Sequence, residues 1–340
     1  MSLANSVLEG DRLALSRLLT QIENDTDIGR QALNELFPHT GKAHLIGVTG
    51  APGTGKSSLV NQLALYYRQA SAGGTPPRVA IVAVDPSSPF TGGAVLGDRI
   101  RMADLLSDPG VFIRSMASRG SLGGLAAATA SMVQTLDAAG YATIMIETVG
   151  AGQAEVEIAK LAHTTLVVEA PGLGDDVQAI KAGILEIADI LVLNKADRPG
   201  IEAAERALHG MLKLGHPVRR TFRHHGQAVE APDTDIEIAG AGEWIPPILR
   251  TVASAGQGIL ELAAAIGEHK AFLQAGGEWQ RRERARLESE LELLLKSSMI
   301  DRWREATPPD RYEQTVEKLL ARQLSPRQAV AALLNGVMPK

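Results

Sequence analysis

The densest chemistry in the chain is Gly50-Ala51-Pro52-Gly53-Thr54-Gly55-Lys56-Ser57. It fits the spacing G-x-x-x-x-G-K-[ST], which serves the phosphates of a nucleotide. Gly53 and Gly55 free the backbone to curl, so that successive N–H groups converge on anionic oxygens. A helix opening near Lys56 adds its positive end. The Lys56 ammonium suits the β- and γ-phosphates, and the Ser57 hydroxyl suits Mg²⁺. Every residue from Gly50 to Ser58 is an expected phosphate contact, and Lys56 is an expected catalytic cation.

A second constellation, Asn194-Lys195-Ala196-Asp197, follows the apolar run DILVL. A carboxylate only accepts hydrogen bonds and can take two in parallel from a fork of donors. Guanine offers that fork at N1–H and N2–H₂. Adenine would set a lone pair against Asp197, and rejection of this kind reaches about 10⁴-fold. Lys195 can lay its aliphatic stem across the base, and Asn194 can tie neighbouring loops together. Downstream, Thr251-Val252-Ala253 follows another strand-like run, and a backbone N–H near Ala253 could reach guanine O6.

Acidic groups complete the set. Asp85 ends RVAIVAVD, Asp98 lies at the far end of a Gly/Pro-rich loop, and Glu147 ends YATIMIET. Carboxylates at adjacent strand ends suit an octahedral Mg²⁺ held largely through water, so Ser57, Asp85, Asp98 and Glu147 are candidate metal ligands. Asp98 and Glu147 are also candidate catalytic groups. Asp85 also fits an Asx turn before Pro86, and Asp98 a charge at a helix start. Gly150 could sense a γ-phosphate through its backbone N–H, which would order or release a loop on hydrolysis.

These motifs need strands to hold them. Six short apolar runs, HLIGVTG, RVAIVAVD, VFIRSM, YATIMIET, TTLVVEA and DILVLNKAD, alternate with helical patterns such as KSSLVNQLALYYRQ and DDVQAIKAGILEIAD. Runs apolar on both faces suit a parallel sheet covered by helices. The expected fold is a doubly wound, mostly parallel α/β domain of the P-loop NTPase type, which binds ligands beyond the carboxyl ends of its strands. Before it, Leu15, Leu18, Leu19 and Ile22 share one helical face, and Leu33, Leu36 and Phe37 suggest a second; both read as a docking extension over residues 1–42. Residues 223–243 break the rhythm. After WIPPILRTVA and the helical GILELAAAIGEHKAFL comes a charged helix, EWQRRERARLESELELLLKSSMIDRWR, with a stripe at Leu287, Leu291, Leu294 and Leu295.

Composition narrows the chemistry. The 340 residues carry a net charge of −5, a poor match to sequence-independent nucleic-acid binding. There is no cysteine, hence no thiolate zinc site, iron–sulfur cluster or Cys nucleophile. The N-terminus does not read as a signal peptide and no run is long enough to span a membrane, so the expected place is the cytoplasm.

The stretches GVTGAPGTGKSS, VAVDPSSPFTGGAVLGDRIRM, RGSLGGLA, IETVGAGQAE, PGLGDDVQAIKAGILEIADI, NKAD and TVASAGQGI together resemble the family of cobalamin-mutase GTPase chaperones, the MeaB/MMAA/ArgK family, from about Gly10 to Gly267. The resemblance implies GTP/GDP and Mg²⁺ as cofactors, with Asp85, Asp98 and Glu147 in Mg²⁺ and GTP chemistry. It makes Pro171–Gly183, with Gly172, Asp175, Asp176, Gln178 and Lys181, a further switch that relays nucleotide state to a partner. On residue chemistry alone Asp175 and Asp176 also suit a helix N-terminus. The resemblance further implies a G domain over 43–267 and helices over 268–340 that form a homodimer, although the leucine stripe also fits an intramolecular face. It implies a role in gating adenosylcobalamin into a cobalamin-dependent acyl-CoA mutase, with methylmalonyl-CoA mutase as the default. The adenosyltransferase that supplies adenosylcobalamin is a further candidate partner; nucleic acid and membrane are not. No D-x-H-x-x-G cobalamin signature is present, so the corrin is expected on the partners.

No Gln directly follows Gly150; Gln153 stands three residues on. Slow hydrolysis in the absence of a partner is the expectation drawn from that. Two other readings compete. A nickel-inserting GTPase would call on His216, His224 and His225, which also fit a solvated basic loop. A kinase of a transport system would need an acceptor and a spare catalytic base.

Overall fold

A computed structural model describes residues 2–69, 74–86, 102–118, 122–148, 153–172, 186–214, 223–224, 227–228 and 244–334. The chain divides into two compact units, Met1–Arg286 and Leu287–Lys340.

The first unit is built on seven strands: β1 (His44–Thr49), β2 (Val79–Pro86), β3 (Val111–Ser118), β4 (Thr143–Thr148), β5 (Thr164–Glu169), β6 (Ile190–Leu193) and β9 (Ile248–Arg250). They lie in the order β3-β2-β4-β1-β5-β6-β9, and every neighbouring pair is parallel. A separate antiparallel pair, β7 (Arg223–His224) and β8 (Gln227–Ala228), falls in the segment that breaks the sequence rhythm.

Helices cover both faces. On one lie α1 (Leu3–Leu8), α2 (Arg12–Glu23), α3 (Asp27–Leu36), α5 (Leu122–Ala138) and α6 (Gln153–Leu161), packed on Leu45, Val82, Ile144 and Ile146. The other face carries α4 (Lys56–Gln69) and α8 (Ile259–Ala275) on Ile46, Val48, Ile81, Leu166 and Val168. Leu45 and Ile46 thus enter opposite cores, as the two-residue period of a strand requires. Helix α7 (Ile201–Leu214) closes a third cluster with Leu191 and Leu193.

The N-terminal stripe packs as its spacing predicts: Leu15, Leu18, Leu19 and Ile22 are all at most 5% exposed. Asp11 starts α2 by accepting from the N–H groups of Leu13 and Ala14. Phe37 departs from expectation and is half exposed. Helix α3 ends at Leu36 and the chain tightens into a 3₁₀ turn, Phe37–His39, with Pro38 inside it, so helical spacing no longer carries Phe37 to the core.

The second unit begins within α9 (Glu278–Ala306) and adds α10 (Pro309–Leu320) and α11 (Pro326–Leu334). Trp303 meets Tyr312 edge-on at 6.0 Å and donates its Nε1–H to Leu333 O at 3.3 Å. Leu287, Leu291, Leu294 and Leu295 are exposed.

Candidate functional site

The phosphate loop runs from the end of β1 into α4, with φ +137° at Gly50, +81° at Gly53 and +95° at Gly55. A side chain at Gly50 would overlap the carbonyl of Val168 on β5. The loop therefore curls against the sheet in a way only glycine permits. Helix α4 opens at Lys56. The Lys56 ammonium is 5% exposed and donates to Gly50 O at 2.8 Å and Ala51 O at 2.9 Å. It is held inside the curl by main-chain carbonyls, at the place where phosphate oxygens would meet the loop's N–H groups.

Ser57 lies behind the loop. Its hydroxyl donates to Glu147 Oε1 at 2.6 Å, and both residues are buried. Sheet register brings this about: Val48 on β1 lies beside Glu147 on β4, so β4 delivers its carboxylate to the root of the phosphate loop. A short hydroxyl–carboxylate contact at the root of the phosphate loop is a pair of hard oxygen ligands, the chemistry that suits Mg²⁺. Asp85 stands two residues beyond Ala83, which is in register with Glu147, and so belongs to the same end of the sheet.

The guanine motif is joined to the phosphate loop by Asn194. Its Nδ2 donates to Thr54 O at 2.8 Å, while its Oδ1 accepts from Thr251 Oγ1 and from Ala253 N, each at 3.1 Å. One buried amide thus pins three loops, as expected of it. Ala253 N–H is committed to this bond. Lys195 donates from Nζ to Gly53 O at 2.6 Å and adopts φ +57°. That conformation is costly for a side-chain-bearing residue and persists only when its surroundings impose it. Here Ala196 N donates to Thr251 O and Arg198 N to Lys195 O, each at 3.0 Å. Asp197 follows on the exposed rim. Val252 N donates to Gln257 O at 3.1 Å, closing the neighbouring loop. An exposed ion pair, Arg250 NH2 to Glu205 Oε2 at 2.5 Å, braces the strand before it. It holds the Glu205 carboxyl below the usual range, chiefly by hydrogen bonding.

The structure therefore gathers Lys56, Ser57, Glu147, Asn194, Lys195, Thr251 and Ala253 about the phosphate loop. Gly172 forms a turn at φ +76° just after β5. Asp98, Gly150, Asp175, Asp176, Gln178 and Lys181 lie outside the described residues, as do His216 and His225; His224 is placed only as backbone of β7.

Sequence reasoning missed a second polar assembly at the opposite end of the sheet. His44, His163 and Asp189 stand at or just before the starts of β1, β5 and β6, with His269 on α8 and Trp279, Arg282 and Glu283 on α9 beside them. The available signal was a polar residue directly before each apolar run, in HLIGVT, HTTLVVE and DILVL. Helical or strand periodicity gives such residues no weight.

Residues 15–308 match the family described as Methylmalonyl Co-A mutase-associated GTPase MeaB. A Pyrococcus abyssi protein is 41% identical over 330 residues, covering 97% of this chain and 94% of its own. GTPase ArgK of Escherichia coli K12 is 32% identical over 340 residues, covering 96% and 92%. Among solved structures, one titled LAO/AO transport system kinase superposes with a TM-score of 0.66 at 27% identity, covering 98% of this chain and 95% of that one. A glycine-curled phosphate loop, an Asn–Lys–x–Asp motif tied to it through Asn194, and a family match across most of the chain converge: the protein belongs to the MeaB family of P-loop GTPases and binds guanine nucleotide.

Proposed function

We propose that this GTPase is a chaperone that uses Mg²⁺ and GTP to gate adenosylcobalamin loading into a cobalamin-dependent acyl-CoA mutase, and that protects or reactivates that mutase. The observation that carries the reading is the match to a mutase-associated GTPase family over residues 15–308. Methylmalonyl-CoA mutase or a close relative is the partner that this description favours. Mg²⁺ would be held by Ser57 and Glu147, with Asp85 and Asp98 contributing from the neighbouring strand and loop. When bound, it neutralises charge on the β- and γ-phosphates.

The chain's own groups do the rest. The amides of Gly50–Ser58 orient the triphosphate, and Lys56 offsets charge that builds on the transferring phosphoryl group. Asp197 selects guanine and Lys195 flanks it. Nucleotide state passes outward through Gly150 and through the Pro171–Gly183 segment with Asp175, Asp176, Gln178 and Lys181. Hydrolysis is slow until the partner binds, since no Gln directly follows Gly150. We assign residues 1–42, 43–267 and 268–340 to extension, G domain and homodimer arm, and place the protein in the cytoplasm. The adenosyltransferase that supplies adenosylcobalamin is a second partner in this scheme. Among the described residues no helix is long and apolar enough to cross a membrane.

The test is capture of a cobalamin-dependent acyl-CoA mutase by the full chain, with a non-hydrolysable GTP analogue and with GDP. A complex whose affinity changes at least tenfold between the two nucleotides supports the reading. A mutase that ignores the protein in every nucleotide state contradicts it. Incubation with γ-labelled GTP separates this reading from a kinase of a transport system: free phosphate is expected, and a stable phosphoprotein would favour a kinase.

A further inference from the structure

At the amino ends of the central strands, three imidazoles meet the first turns of α9. His163 follows α6 directly and has both ring nitrogens engaged: Leu45 N–H donates to Nδ1 at 3.1 Å, and Nε2 faces Glu283 Oε1 at 2.9 Å. Its own N–H donates to Leu45 O at 2.9 Å. Because Nδ1 accepts from an amide, the ring proton sits on Nε2 and is donated to Glu283; the tautomer is fixed by the partners and the ring is neutral. Trp279 stacks on this ring with centroids 3.8 Å apart, and Arg282 donates to the His163 carbonyl.

Most of the rest of the assembly is engaged as well. Arg282 grips both oxygens of Asp189 at 3.0 Å, and Asp189 Oδ2 also accepts from Thr165 N at 2.8 Å. Thr164 Oγ1 lies between His44 Nε2 at 2.8 Å and His269 Nδ1 at 2.9 Å, and its single hydrogen obliges at least one imidazole to donate. His269 Nε2 is 3.3 Å from Asp189 Oδ1. The sequence of Asp, His and hydroxyl looks like that of a hydrolase, yet Thr164 and His269 are fully buried, so no substrate reaches the hydroxyl.

We propose that this assembly is an acid-releasable latch, which holds the first turns of α9 to the base of the sheet only while His163 and His44 are neutral. A second proton on His163 would set Nδ1–H against the Leu45 N–H, two donors facing one another in a buried site. The groups facing His163 are His44 from β1 and Arg282, Glu283 and Arg286 from α9; those facing His44 are His163, Asp189 before β6, and His269 and Lys270 from α8. Burial lowers the His163 pKa against the opposing pull of Glu283, and burial with the neighbouring positive groups brings His44 to about 2. Burial disfavours an ionised Glu283, but hydrogen bonds and charge from His163 and Arg286 outweigh it and set its carboxyl near 2, so Glu283 remains a carboxylate throughout. The sign follows. A released His titrates near 6.5, and latched His163 and His44 below it, so the latch is at full strength above about pH 6.5 and weakens as pH falls. The chain passes from its first unit to its second through this helix.

Hydrogen exchange of the full chain from pH 7.5 to 5.0, corrected for intrinsic rates, tests this at residues 278–286, with Ile144–Ile146 of β4 as the control for global unfolding. The opening equilibrium at 278–286 is expected to rise at least tenfold between pH 6.5 and 5.5 while β4 stays protected. In H163N, which keeps an acceptor for Leu45 N–H, and in H163Q, which keeps a partner for Glu283, the rise between pH 6.5 and 5.5 is expected to be smaller by about fivefold, the share of one histidine, with GTP hydrolysis at pH 7.5 unchanged. Wild-type protection that is flat with pH overturns the proposal by itself. A slope identical in wild type and in either folded variant also overturns it, as does loss of protection that coincides with β4.

Discussion

At the carboxyl ends of β1 and β4, the sheet presents main-chain amides curled by Gly50, Gly53 and Gly55, with one buried lysine and one buried carboxylate beneath them. At the amino ends of β1, β5 and β6, it presents imidazoles, an indole and a guanidinium, nearly all of them already bonded to one another. Both ends are polar and both are built on the same strands. The upper end places charge and donors where an anion can meet them; the lower end turns most of its polar groups on one another. Preorganised groups facing a ligand do chemistry, whereas groups satisfied internally hold structure.

That contrast predicts which function each change removes. The largest effect is expected at the upper end. Lys56→Ala should lower the GTP hydrolysis rate by about 10³-fold, roughly 4 kcal/mol of transition-state stabilisation. Phosphate release from protein with unchanged circular dichroism measures it, and a loss under tenfold would remove Lys56 from the mechanism.

Next comes Arg282→Met at the lower end, which strips the guanidinium from buried Asp189. Breaking such a pair should cost about 3 kcal/mol of stability, seen in denaturant unfolding. The KM for GTP should stay within twofold. A shift of tenfold or more would mean that the two ends are coupled and the contrast is false.

The smallest effect belongs to the surface. Glu205→Gln removes the exposed ion pair with Arg250 and should cost under about 1 kcal/mol. Nucleotide affinity should be unchanged, although the pair lies one residue from Thr251.

The two ends also differ in how readable they were. The upper end rests on contiguous motifs whose spacing encodes geometry: G-x-x-x-x-G-K-[ST] at a strand end, and Asn-Lys-x-Asp at another. The sheet was legible because strands buried on both faces must be apolar runs, and the α2 stripe because helical spacing aligns Leu15, Leu18, Leu19 and Ile22. The lower end joins His163 to Glu283 across 120 residues, and no local pattern carries such a pairing. Phe37 misled because it continues a helical spacing past the point where Pro38 redirects the chain. Asn194 was legible as a tie between loops, but the commitment of Ala253 N–H to it became visible only in three dimensions.

The account stands on a guanine-selecting pocket, and calorimetry with GTP and ATP, on wild type and on Asp197→Ala, addresses it most directly. Wild type should bind GTP at least about 10²-fold more tightly than ATP, and the variant should lose that preference while keeping the fold. Equal affinity for the two nucleotides in wild type, or a preference undiminished in Asp197→Ala, would contradict it.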